Sequence, residues 1–194
     1  MSIDDEIKRL GIHSLFNPPN LPSENDIAAA QKAYGRELPK DYLDLIQKYG
    51  QCTLGALYGV DFPKPMPLYV DDRPDALPVA PLDGAGLSSF FGGEPPNDSG
   101  GGLSYYVEAY RDRMPNGFLP IGGDLFSNKF CLGYSPDGSP GVYFWDHDFE
   151  WDADDYEAET GKIMPEIVKY QNIYFIANTF QEFLTMLDED EKSG

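Results

Sequence analysis

The chain is poor in the residues from which most active sites and most nucleic-acid surfaces are built. Its 194 residues include two histidines and two cysteines, and Lys plus Arg number 14 against 33 Asp plus Glu, a formal net charge of −19. Binding a phosphate backbone takes clustered cations. Here the basic side chains, Lys32, Arg36, Lys40, Arg111 and Arg113 among them, are scattered between acids. That argues against nucleic acid as a direct ligand, and against an anionic membrane surface for the same reason. No apolar run approaches the roughly 20 residues that span a bilayer, and the N-terminus lacks a basic region followed by an apolar core, so the reading points to the cytoplasm. Cys52 and Cys131 lie far apart in sequence and are read as buried free thiols rather than a disulfide.

Catalytic signatures are equally scarce. No serine sits in a Gly-x-Ser-x-Gly elbow, no His-x-x-x-His pair exists, and no glycine-rich loop ends in Lys-Ser or Lys-Thr. Only His13 and His147 are available for metal or general-base roles; His147, flanked by Asp146 and Asp148, could transfer a proton, and a dyad with Cys131 is conceivable if their strands pair. Asp146, Asp148, Glu150 and Glu157 occupy positions 1, 3, 5 and 12 of a calcium-loop window, but Trp151 stands sixth, where the sharp turn of an EF-hand needs glycine. The sequence therefore predicts no enzyme, no cofactor and no metal.

Hydrophobic residues make up 41% and aromatics 14% of the chain, enough for a folded core despite the charge. At this length one domain, 1–194, is expected. Ser23 is a helix cap with acids at 24 and 26 after it, and Ile27, Ala30 and Tyr34 then share a face. A second helix follows Leu38-Pro39, with Tyr42, Leu45, Ile46 and Tyr49 at helical spacing and Gly50 as its stop. Residues 54–60 and 67–70 read as short strands. Leu103, Tyr106, Val107, Tyr110 and Met114 predict a third helix ended by Pro115-Asn-Gly117. Before it, the glycine-rich stretch 92–102 reads as a surface loop.

The most informative stretch is 117–148. Strand-like residues 130–134 and 142–145 flank Ser135-Pro-Asp-Gly-Ser-Pro-Gly141, a hairpin signal, and 118–121 predicts a strand feeding it. Residues 173–177 read as a further strand. Thr179-Phe-Gln-Glu182 is a capping box opening a last helix with Phe180, Phe183, Leu184 and Leu187 on its buried face, before a polar tail from 188. Helices at both ends of a strand-rich middle indicate an α+β fold.

Several landmarks coincide in order: Leu38-Pro39-Lys-Asp-Tyr42 to Lys48-Tyr-Gly50, Ser88-Ser-Phe-Phe-Gly92, Leu119-Pro-Ile-Gly122, Val142-Tyr-Phe-Trp-Asp-His-Asp148 and Thr179-Phe-Gln-Glu-Phe-Leu184. Together they resemble the SUKH superfamily, bacterial toxin-immunity proteins grouped with the yeast cell-wall-assembly regulator, over about residues 20–188. The resemblance implies a largely antiparallel central sheet with helices from the N- and C-terminal parts packed against it. It also implies a non-enzymatic domain that binds and neutralises a cognate toxin, nucleases being prominent among the targets. A regulatory scaffold for endogenous proteins is the alternative it leaves open.

The chain departs from a minimal member at 93–102 and in an insert at about 149–172, so specificity is expected there. Residues 146–159 carry eight carboxylates and no Lys or Arg. Such a run is either a solvated face or a mimic of a phosphate row that meets a basic toxin surface. The candidate partner-binding residues are Asp146, His147, Asp148, Glu150, Asp152, Asp154, Asp155 and, as an anchor, Tyr156. Trp145 and Trp151 are read as core aromatics.

Overall fold

A computed structural model describes residues 3–71, 79, 81–94 and 102–189. The helix predicted after Ser23 is α2, Glu24–Tyr34, preceded by a short helix α1, Ile3–Arg9, and an edge strand β1, His13–Ser14. Its capping box is closed by Asp26: Ser23 Oγ accepts from the Asp26 amide, and Asp26 Oδ2 accepts from the Ser23 amide at 2.8 Å. Helix α3, Lys40–Tyr49, buries Tyr42, Leu45 and Ile46. It ends at Gly50, whose φ of 63° and contact with the Asn20 backbone leave no room for a Cβ.

Strands β2 (Cys52–Asp61), β3 (Gly84–Phe90), β4 (Leu119–Gly123), β5 (Lys129–Tyr134), β6 (Pro140–Trp145) and β7 (Ile173–Ala177) follow, with helices α4 (Leu103–Ala109), α5 (Ala153–Thr160) and α6 (Phe180–Met186) and a last short strand β8 (Asp188–Glu189). The sheet runs β1-β2-β3-β4-β5-β6-β7, antiparallel throughout, with β8 also paired to β2. This is the expected α+β architecture with an antiparallel sheet. Among the described residues no helix is long and apolar enough to cross a membrane.

The predicted hairpin is β5 and β6, in register from Lys129↔Trp145 to Tyr134↔Pro140. Its turn is shorter than expected, because β6 reaches back to Pro140 and leaves 135–139 to reverse the chain around Gly138 at φ 86°. Both faces of the hairpin are covered. Phe130, Leu132, Val142 and Phe144 enter the main core with Tyr42, Phe180 and Phe183 from the flanking helices. Cys131, Tyr143 and Trp145 enter a second cluster with Met114, Phe118, Tyr170 and Ile173. Strands buried on both faces are apolar at every position, which is why 142–145 shows no alternation.

Three expectations are corrected. Residues 67–70 form no strand, since Pro63, Pro65 and Pro67 remove donors. Only Leu68 and Tyr69 dock, donating to the carbonyls of Ile173 (2.8 Å) and Tyr170 (3.2 Å), and so cover part of the outer edge of β7. Helix α4 ends at Ala109, and Met114 is reached through a turn. In the last capping box Thr179 Oγ1 accepts from the Glu182 amide, but Glu182 Oε2 accepts from the Asn178 amide at 2.8 Å, one residue before the cap. Most of the glycine-rich stretch at 92–102 and the end of the polar tail lie outside the described residues.

Helix α1 was not expected, although Asp4, Asp5 and Glu6 in its first turn, Lys8 and Arg9 in its last and Ile3, Ile7 and Leu10 on one face are helix signals, and it is tied to the end of α6. Ile7 and Leu10 are buried, and Arg9 donates to the carbonyls of Leu187 and Leu184, both at 2.7 Å, and to the buried Glu6 carboxylate at 2.8 Å. The last carbonyls of α6 thereby find a charged donor.

Candidate functional site

The insert after β6 is built outward from a third small core. Trp151, Tyr156 and Val168 pack together with Tyr69 and Met164, and the Trp151 and Tyr156 rings meet edge to face at 5.7 Å. Tyr156, expected as an interface anchor, is 5% exposed and instead fastens α5 from beneath. Trp145 and Trp151 are both buried, as read from the sequence.

The carboxylates of 146–159 divide by task. Asp146 is buried, and its Oδ1 accepts from the Asp148 amide at 3.0 Å, starting a 3-10 turn at His147–Phe149. Burial raises its carboxyl above the ordinary range, aided by the charges of Asp148 and Asp124, against the opposing hydrogen bond from the Asp148 amide and the nearby His147. Asp152 caps α5, accepting from the amides of Asp154 (2.8 Å) and Asp155 (3.4 Å). Glu150 is taken by Arg113, with Nε to Oε1 at 2.9 Å and Nη2 to Oε2 at 2.6 Å. The same guanidinium lies 4.9 Å from the Tyr110 ring and 5.2 Å from Trp145, which ties the insert to the end of α4. Asp148, Asp154, Asp155, Glu157 and Glu159 are exposed without such a task, and the cap Asp152 is exposed as well.

His147 is held by the loop that joins β4 to β5. Asn128 Oδ1 accepts from the His147 amide at 3.0 Å and lies 2.9 Å from its Nδ1. On the other side of the ring, Nε2 is 3.2 Å from Asp148 Oδ1. Asn128 is itself fixed by Asp124, whose Oδ2 accepts from Nδ2 at 2.7 Å and whose Oδ1 accepts from the Asn128 amide at 2.9 Å. Asp124 and Asn128 were not among the expected site residues; their spacing of four, an acidic and an amide side chain closing a turn, is the signal the sequence contains.

The catalytic pairings weighed from the sequence use side chains that are engaged elsewhere. Cys131 faces Tyr143 across the hairpin, lies 3.7 Å from the Met114 sulfur, and burial pushes its thiol well above the usual range. The calcium window is broken by the 3-10 turn, the Arg113–Glu150 pair and the cap of α5. A cavity of about 360 Å³ between α2 and α4, lined by Ala29, Lys32, Val107, Arg111, Phe118 and Pro120 among others, does not include His147.

What the surface offers is a run of exposed acids on a segment that is packed beneath and clamped by Arg113. The sequence profile of the SMI1 / KNR4 family (SUKH-1) matches residues 21–186. Among curated proteins, the chain is similar to the SPbeta prophage-derived uncharacterized protein YokK of Bacillus subtilis (strain 168), at 25% identity over 177 residues, covering 88% of this chain and 78% of that protein.

Proposed function

The chain belongs to the SMI1 / KNR4 family (SUKH-1), and on that premise we propose that it is a non-enzymatic immunity protein acting in the cytoplasm, binding a cognate toxin domain and blocking it. The observation that carries this reading is the ridge of exposed acids at Asp148, Asp154, Asp155, Glu157 and Glu159, in a chain of net charge −19. The segment stands on its own apolar base and on the Arg113 clamp, so the backbone that carries these charges is held in place. A row of carboxylates complements a surface that evolved to hold phosphates, and the net field accelerates encounter with a basic partner. That partner chemistry fits a nuclease toxin.

Co-expression with the toxin domain encoded beside the gene tests the reading. Cells carrying both should survive where cells carrying the toxin alone die, and the two proteins should co-purify. Absence of both binding and protection would favour instead a regulatory scaffold that serves endogenous partners.

A further inference from the structure

The loop between β4 and β5, residues 124–128, turns two adjacent large apolar side chains into solvent. Leu125 and Phe126 are each 74% exposed. Single exposed apolar residues are ordinary, but a neighbouring pair at the tip of a rigid loop is not. Their side chains contribute nothing to the loop's shape, which polar groups build around them. Asp124 Oδ1 accepts from the Phe126 amide at 2.8 Å and from the Asn128 amide at 2.9 Å, and Lys129 Nζ donates to the Ser127 carbonyl. Ser127 sits at φ 74°, a left-handed conformation that this network holds in place.

The tip is continuous with the acidic ridge, because Asn128 of the same loop grips His147, and His147 reaches Asp148. Tyr105 adds a half-exposed ring nearby, edge-on to Tyr106, which lies 5.9 Å from the Lys129 ammonium. Aromatic side chains are enriched at interfaces, where a few buried residues supply most of the binding and a polar rim excludes water, and Phe126 with Leu125 beside it has that setting. Preforming the loop removes an ordering cost on association.

We propose that Leu125 and Phe126 are the anchor of the partner interface, inserting into an apolar pocket on the toxin whose border carries Lys or Arg opposite the exposed Asp148. This rests on the immunity reading. The charges select the occupant: a second copy would bring another −19 against the same acids, and an anionic membrane is repelled by them.

The test uses the full chain and the toxin domain encoded beside its gene. Leu125→Ser and Phe126→Ser should each weaken binding at least tenfold, mainly through faster dissociation, while leaving the melting temperature within a degree or two of wild type. Leu15→Ser, at a residue 51% exposed beyond the edge strand β1, should bind as wild type. Wild-type affinity in both tip variants would overturn the anchor and leave the immunity reading standing. Failure of the wild-type protein to bind would remove both. A concentration-dependent dimer in sedimentation that Phe126→Ser abolishes would overturn the proposal in favour of a second copy as the occupant.

Discussion

Asn128 Oδ1 receives both the backbone amide and the ring Nδ1 of His147, 19 residues further along the chain, at 3.0 and 2.9 Å. A backbone amide only donates, so the atom facing it is the amide oxygen, and the ring nitrogen beside that oxygen must carry the hydrogen. The contact therefore places a hydrogen on His147 Nδ1 and at the same time joins the β4–β5 loop to the start of the acidic insert.

Replacing Asn128 with alanine removes these acceptors and the bond from Nδ2 to Asp124. A loss of about 2 kcal/mol is expected, since the His147 amide is left without its partner. Denaturant titration reads the loss, and the nitrogen-15 shift of the imidazole Nδ1 should change as its hydrogen-bond acceptor is removed.

Arg9 makes a second long-range tie. Glu6 is 1% exposed, and Arg9 serves it as well as the carbonyls of Leu184 and Leu187. Arg9→Ala should cost about 3 kcal/mol, because it strands a buried carboxylate and two helix-end carbonyls. Glu6→Gln should cost less, as its amide still accepts from Arg9. If the two variants melt at the same temperature, the charge of Glu6 rather than the carbonyl bonds dominates.

Two aspartates should give the stability–pH curve opposing slopes. Burial works to raise the Asp26 carboxyl, but hydrogen bonds from Ser104 and Ser23 outweigh it and hold the group below its ordinary value. Its stabilisation is present above the unfolded value of about 3.9 and is lost as pH falls through the folded one. Asp146 is raised, chiefly by burial. The folded state holds its proton more tightly, so its contribution is present at low pH and is lost as pH rises from the unfolded value through the folded one. Asp146→Asn, which keeps an acceptor for the Asp148 amide, should raise stability at pH 7 and little at pH 3. Ser104→Ala should lower it at pH 7 and little at pH 3. Melting temperatures across that range check both signs.

The acidic ridge makes a kinetic prediction. Asp148→Asn, Asp154→Asn and Asp155→Asn together spare the buried Asp146, the clamped Glu150 and the cap Asp152. They should slow association with a basic toxin about tenfold at low salt and flatten its salt dependence. Stopped-flow association at two ionic strengths reads this, and unchanged rates would exclude the ridge from the encounter.

Much of this was legible in the sequence where the cause is local. Ser23, Gly50 and Thr179 announce helix boundaries because caps and left-handed stops act within one turn, and each stands where it was placed. The hairpin at 129–145 was legible because its turn residues lie between two apolar runs. Helix α1 was legible too, from acids in its first turn, bases in its last and Ile3, Ile7 and Leu10 on one face, and went unread; what no local signal shows is its docking, in which Arg9 reaches carbonyls 175 and 178 residues away. In the site, the eight carboxylates were visible as a run, but their division into cap, clamp, buried acid and exposed ridge was not. Tyr156 looked like an anchor by composition and is a core residue by packing, while the exposed Leu125 and Phe126 were not singled out.

By itself, then, the sequence determined the secondary elements with local signals, the α+β class, the family and the sign of the charge, all of which follow from spacing and composition along the chain. Tertiary structure alone decided which acids face solvent and which apolar side chains are left outside. Those outcomes depend on where β4 and β5 deliver residues 124–128 relative to the exit of β6, and sheet register brings such distant segments together without leaving a periodic trace in either.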